Sequence, residues 1–307
     1  LSFPSEVRND LKRSGINFRF FAPLFSAYTF YLGRRLHQKI VVADRKVALI
    51  GGINIADKYH GTLNEEPWLD YAVQLNGEIA KPLQELCSAI FFKKRRLHSQ
   101  KIKSVFHLQD DILVHILQND WLKRKNEISN AYIKSIGNAK EEITIMGSYF
   151  LPGRRITQAL KKASKNKVKI KLILSGISDL PLTRRATCYL YSKLLSYNIE
   201  LYEWNNSILH GKSAVIDNYW TTIGSFNLNN LSSYGSIEMN VEINSAVFSK
   251  IYQAHLNEII DQCQKITTET LEIKNTTFTK FINWISYYIT RIIEIIVTFT
   301  PYKRFYT

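Results

Sequence analysis

Cysteine is scarce in this 307-residue chain, and the three that occur, Cys87, Cys188 and Cys263, are far apart and form no CxxC pair. That excludes a disulfide framework and suggests no zinc cluster, so a reducing, cytosolic setting fits best. Acidic residues are also few. Asp plus Glu number 26 against 41 Lys plus Arg, a formal net charge of +15, and the expected partner is therefore a polyanion, either nucleic acid or an anionic lipid surface. No charged segment followed by a short apolar run opens the sequence, as a secretory leader would. Hydrophobic residues at 45% and charged ones at 22% exclude a wholly disordered, collagenous or polytopic membrane protein. What remains is a globular chain about two domains long.

What is present is a repeat. Residues 37–54 read HQKIVVADRKVALIGGIN and residues 210–227 read HGKSAVIDNYWTTIGSFN. Both fit HxKxxxxD, six residues, a small pair, one residue and Asn. Five fixed positions match by chance about once in several million starts, taking each residue type at roughly one position in twenty. The flanks repeat too: Leu11–Ile16 and Leu194–Ile199 each read as a helix end, a cap residue (Gly15, Asn198) and the entry to a strand.

Ahead of the second copy, the pattern predicts a helix around Glu127 to Ala139, a strand from Ile143 to Met146, a helix from Arg155 to Ser164 and a strand from Val168 to Leu174. Only ten residues precede Leu11 in the first copy, so the first half is expected to be cut short at its N-terminus. Near-continuous apolar strands alternating with helical periods predict an α/β sandwich with mixed sheets and helices on both faces. The expected organisation is a first half over 1–100, a connector over 101–126, a second half over 127–265 and an amphipathic C-terminal segment over 278–307. The basic runs at Phe91–Arg96 and from Lys161 to Lys171 read as solvated surface.

Two HxK pairs suit phosphodiester chemistry. Imidazole titrates near neutrality, so one histidine can attack phosphorus while the other protonates the leaving oxygen. Two lysines and two asparagines can surround the transferring phosphoryl with positive charge and fixed donors. No metal or other cofactor is implied, since His60, His98, His107, His115 and His255 show no ligand spacing.

These motifs are HKD motifs, and the sequence resembles the phospholipase D superfamily over about residues 5–260, most nearly the short bacterial cardiolipin synthases. Supporting stretches are Gly51–Tyr59, Trp68–Tyr71, Ser148–Pro152, Tyr202–Trp204, Gly224–Leu228 and Glu238–Asn240. The resemblance implies two pseudo-two-fold related halves sharing one site with catalytic motifs His37, Lys39, Asp44 and His210, Lys212, Asp217. His37 would form a phosphohistidine and His210 would act as general acid, then base, although the two copies are chemically equivalent. Asn54, Asn227 and Ser225 would join the lysines at the phosphoryl oxygens. Asp70 would orient His37, and Glu238 would orient His210. Asp44 and Asp217 sit at turns and are expected to be structural within their motifs. Gly52 stands where many members have Ser, and Ser236 and Asn229 also depart from the usual pattern.

The resemblance implies phosphatidyl transfer at the cytoplasmic face of a bacterial membrane, with anionic phosphatidylglycerol as partner. A hydrolytic phospholipase D and a nuclease of the same superfamily are the alternatives. On a helical wheel, Lys280, Asn283, Ser286, Tyr287, Thr290, Arg291, Glu294 and Thr298 share an arc of about 140°, with apolar residues filling the rest. Arg291 and Glu294 would each cost roughly 2.5–3.5 kcal/mol at a bilayer centre. The expectation is an interfacial helix with Tyr302, Lys303, Arg304 and Tyr306 at headgroup level; a helix docked on the protein's own body is the alternative. The aromatic run Phe18–Leu32 is a second candidate lipid contact.

Overall fold

Each motif builds the same piece of structure. Lys39–Ala43 and Val47–Gly51 form an antiparallel hairpin, and Ala72–Asn76 pairs with the second strand. In the other half Lys212–Ile216, Trp220–Gly224 and Ser236–Asn244 repeat that order. The hairpin turns place Asp44 and Arg45, and Asp217 and Asn218, all at positive φ, the geometry that matches the twist of paired strands and that Asp and Asn tolerate. The repeated flanks fold alike as well: Gly15 and Asn198 have φ of 73° and 54°. Behind them Ile16 N–H bonds Leu11 O at 2.8 Å, and Ile199 N–H bonds Leu194 O at 3.3 Å, the six-residue closure of a helix C-terminus.

The computed structural model describes residues 4–21, 25–26, 29–30, 35–63, 65–92, 105–108, 112–120, 125–274 and 276–299. Among them, the second half carries the larger sheet. Glu142–Gly147, Lys169–Ser175 and Glu200–Trp204 run parallel, and the first of these pairs antiparallel with Lys212–Ile216. Helices Glu127–Asn138 and Arg154–Lys165 cover this part, as the periodicity predicts. The stretch read as a connector contributes more than expected: Ile112–Asp120 is a nine-residue strand paired with Ser236–Asn244. Its apolar residues, short of helical length, do not distinguish strand from loop until a partner strand is known.

Two apolar cores result. One lies under the helices, around Tyr132, Ile143, Leu160, Leu172 and Phe226. The other joins the halves, packing Ile50, Val73, Leu75 and Leu83 of the first against Met146, Val215, Met239 and Leu256 of the second. This shared core explains why the small motif sheet of the first half and the motif strands of the larger sheet face a common site rather than acting as separate domains.

Candidate active site

The site is assembled by main-chain contacts that cross between the halves. The His37 and Gln38 N–H groups both donate to the Ile237 carbonyl at 3.0 Å, and the His210 and Gly211 N–H groups donate to the Leu69 carbonyl at 2.8 and 2.9 Å. The next residue after each acceptor is a carboxylate, Glu238 or Asp70. His37 Nδ1 lies 2.8 and 3.0 Å from the two Glu238 oxygens, and His210 Nδ1 lies 2.7 Å from Asp70 Oδ2.

The expected pairing, Asp70 with His37 and Glu238 with His210, is therefore wrong: each histidine is oriented by the other half. The reason is sheet order. Within a half, the motif strand and the carboxylate-bearing segment flank a third strand, and two strand spacings amount to about 10 Å. The segment leading into each motif instead docks directly against the other half's carboxylate.

Electrostatics separate the two histidines. His210 is buried, and burial pushes its pKa down to about 4, with Lys212 and Lys39 adding to the shift and Asp70 opposing it. The His37 side chain is 33% exposed. Lys212 is fully enclosed, which pushes its pKa down to about 7, and burial lowers that of Lys39 despite the nearby Glu238 and Asp70. Each lysine reaches back to the carbonyl of its own histidine, Lys39 at 2.5 Å. Lys212 Nζ also lies 2.8 Å from His210 Nδ1. Desolvation and mutual repulsion thus disfavour positive charge here, and an anionic phosphodiester would restore it. Such an arrangement binds charge that develops on a phosphoryl group more strongly than it binds water.

Around His210 stands an aromatic enclosure that motif spacing alone does not reveal. Tyr59, Trp68 and Tyr149 rings lie 5.6, 5.6 and 6.0 Å from the imidazole. The Tyr59 hydroxyl is 3.1 Å from His210 Nδ1 and accepts from Asn54 Nδ2 at 2.7 Å; burial raises its pKa to about 12. Lys58 Nζ sits 3.8 Å from the Trp68 ring centre. The Tyr149 hydroxyl donates to Asp179, and Ser148 Oγ donates to Asn227 Oδ1 at 2.9 Å, fixing that amide's orientation. Tyr59, Trp68 and Tyr149 lie in the stretches that carry the family resemblance, yet no repeat marks their role.

One expectation changes and the reading of the two motif aspartates as turn residues does not. Ser225 was expected at the phosphoryl group, but its hydroxyl donates to Glu238 Oε2 at 2.6 Å, so it acts through the carboxylate that holds His37. Its counterpart Gly52 has no room for a side chain: a Cβ there would lie 2.3 Å from Asp70 Oδ1. Asp217 stands away from the reacting groups at the far end of its strand, accepting the N–H groups of Lys140, Glu141 and Glu142 at 2.8, 2.9 and 3.0 Å. Asp217 therefore ties its turn to the start of Glu142–Gly147, the structural role its position predicts. Asp44 occupies the equivalent turn.

Compared with known proteins, residues 132–260 match the family described as cardiolipin synthase, PLD-like domain. Cardiolipin synthase B of Escherichia coli K12 is 33% identical over 283 residues, covering 88% of this chain and 67% of that protein. The minor cardiolipin synthase of Bacillus subtilis is 30% identical over 249 residues, covering 80% of this chain and 61% of its own length. The crystal structure of phosphatidylserine synthase from Haemophilus influenzae superposes with a TM-score of 0.64 at 15% identity, over 87% of this chain and 71% of that one, a likeness of fold. With paired HKD motifs on one site and this identity along most of its length, the chain belongs to the cardiolipin synthase family of the phospholipase D superfamily.

Proposed function

We propose that the chain makes cardiolipin from two molecules of phosphatidylglycerol. With Nδ1 held by Glu238, His37 presents Nε2 to phosphorus; a P–N bond forms, the P–O bond to glycerol breaks, and His210 gives the leaving oxygen its proton. A hydroxyl of the second phosphatidylglycerol then loses its proton to His210 and attacks phosphorus, breaking the P–N bond. Lys39, Lys212, Asn54 and Asn227 carry the phosphoryl oxygens. The assignment of nucleophile rests on the greater exposure of His37 and on the resemblance. A neutral His210 suits the deprotonating second step, and the bound anion raises its pKa for the first.

The observation that carries this reading is the crossed histidine–carboxylate pair, taken with the identity to cardiolipin synthases. The place of action is the cytoplasmic face of a bacterial membrane, with peripheral attachment. No helix among the described residues is long and apolar enough to cross a membrane. Incubation with phosphatidylglycerol vesicles should release glycerol and form cardiolipin. Phosphatidic acid as sole lipid product would mean hydrolysis, and cleavage of single-stranded DNA without lipid turnover would overturn the lipid assignment.

A further inference from the structure

The C-terminal helix, Thr277–Phe299, is packed the opposite way round from an ordinary surface helix. Its buried stripe is polar: Asn283, Ser286, Thr290 and Glu294, each less than 9% exposed. These lie at i, i+3, i+7 and i+11, one face of a helix, and the helix packs on Pro181–Tyr189 and on the turn at Leu231–Gly235. Its outer face carries Phe281, Trp284, Tyr288, Ile292, Ile295 and Ile296, all 45–58% exposed. Water gives no reason to bury Glu294 and expose isoleucines, since burying apolar surface is worth about 25 cal/mol per Å².

Specific bonds hold the inverted packing. Arg291 donates to the Leu151 and Pro152 carbonyls at 3.3 and 2.9 Å and to Glu294 at 3.0 Å. Glu294 also accepts the backbone N–H groups of Asn230 and Leu231, and its pKa is raised by burial. Beside this latch opens a cavity of about 620 Å³ whose lining includes Arg154, Lys161, Lys193 and Arg291, with Tyr197 and Tyr287, and no carboxylate among the described residues. Tyr288 and Ile295 line it too, so the cationic cavity is continuous with the exposed apolar face. The loops Ser148–Pro152 and Asn227–Asn230 connect it to the catalytic centre, which it does not enter.

We infer that this helix docks into one leaflet with its apolar face among the acyl chains, while the cavity beside it holds the phosphate of an anionic phospholipid that is not the substrate. The choice of occupant follows from charge and continuity. Arg291 is paired with Glu294, which leaves Arg154, Lys161 and Lys193 facing a cavity lined by no carboxylate among the described residues; that charge selects an anion, and the adjoining apolar strip selects an anion that carries hydrocarbon. The polar stripe stays bonded to the protein, so the helix lies on the bilayer and does not span it. The inference rests on the lipid reading of the site for its setting, but its test does not use turnover.

Flotation with vesicles is measured for the full chain bearing His37→Ala, which removes the nucleophile so that lipid is neither consumed nor trapped on the protein. Binding to phosphatidylcholine vesicles containing one part in three phosphatidylglycerol should exceed binding to pure phosphatidylcholine. R154Q/K161Q/K193Q should remove that excess, at about fivefold per charge and on the order of 100-fold together. W284S/I292S should abolish flotation on both vesicle types, with far-UV circular dichroism unchanged. A triple variant that retains the full phosphatidylglycerol excess overturns the cavity assignment, and undiminished flotation of W284S/I292S overturns the docking face. Inorganic phosphate at millimolar concentration should not release the protein from vesicles; release by phosphate would show that the cavity binds the free anion alone and overturn the lipid assignment. If the unaltered chain makes no cardiolipin but these losses occur, the catalytic reading fails and this inference stands.

Discussion

The two halves start from the same motif and end in different environments. In the second half every residue of Lys212–Ile216 and Trp220–Gly224 is buried, whereas Lys39–Ala43 alternates between half-buried and exposed. His210 sits in an aromatic enclosure and His37 at an opening. Even the orienting groups differ: Glu238 is braced by Ser225, while the shorter Asp70 lies against Gly52. Equivalent sequences therefore yield inequivalent histidines, because burial and neighbours set an imidazole's behaviour more than its motif does. In the proposed mechanism this asymmetry suits the first half to expose the nucleophile and the second to enclose the proton carrier.

The sharpest way to break this comparison is to remove each histidine in turn. His37→Ala and His210→Ala should each lower turnover at least about 10³-fold. Only His210→Ala should still trap phosphatidyl on the protein, as seen with phosphate-labelled phosphatidylglycerol after denaturation. Trapping in His37→Ala instead would reverse the roles.

Next in size are the carboxylates. Asp70→Asn and Glu238→Gln should each cost on the order of 10²-fold in kcat. Histidine titrations by NMR separate crossed from uncrossed pairing: Asp70→Asn should lower the already depressed pKa of His210 further and leave the His37 resonance in place. A moved His37 resonance would restore the same-half pairing.

A smaller effect is expected from pH. Lys212, pushed down to about 7 by burial, loses its charge as pH rises through that value. In substrate-limited assays kcat/KM should then fall, approaching about tenfold per unit above pH 7 for a single ionisation. Lys212→Arg, charged throughout, should show a lower rate without that limb; an unchanged limb would assign it elsewhere. Smallest is Ser225→Ala, expected to lower kcat about tenfold and stability by roughly 1–3 kcal/mol, since a buried carboxylate loses a donor. Denaturant titration checks the second figure, and an unchanged stability would deny that Ser225 braces Glu238.

Much of the fold was legible. The repeat located both hairpins, and helical and apolar periods located Glu127–Asn138, Glu142–Gly147, Arg154–Lys165 and Lys169–Ser175 to within a residue or two. The strand at Ile112–Asp120 was not, since its neighbour Ser236–Asn244 lies more than a hundred residues away. Of the C-terminal segment, the two faces were legible and their orientation was not: polarity alone does not say which face a helix buries. Lys161, Lys162, Lys165, Lys167 and Lys169 are exposed, as the solvated reading expects, with Lys161 also lining a cavity, while Lys171 pairs with Glu142 at 2.7 Å. Phe18, Phe20 and Phe21 of the aromatic run are exposed; residues 22–24, 27–28 and 31–34 fall outside the described residues, as do 93–96 of the first basic run and Tyr302, Lys303, Arg304 and Tyr306.

The sequence by itself determined the chemistry: two histidines, two lysines and two asparagines at fixed spacing, because residue type and spacing along a strand fix which groups share a face. Which carboxylate serves which histidine, how far burial pushes the His210 imidazole from its ordinary pKa, and which face of the last helix looks outward were decided only by the tertiary structure. Those are properties of through-space neighbours and of burial, and no spacing along the chain encodes them.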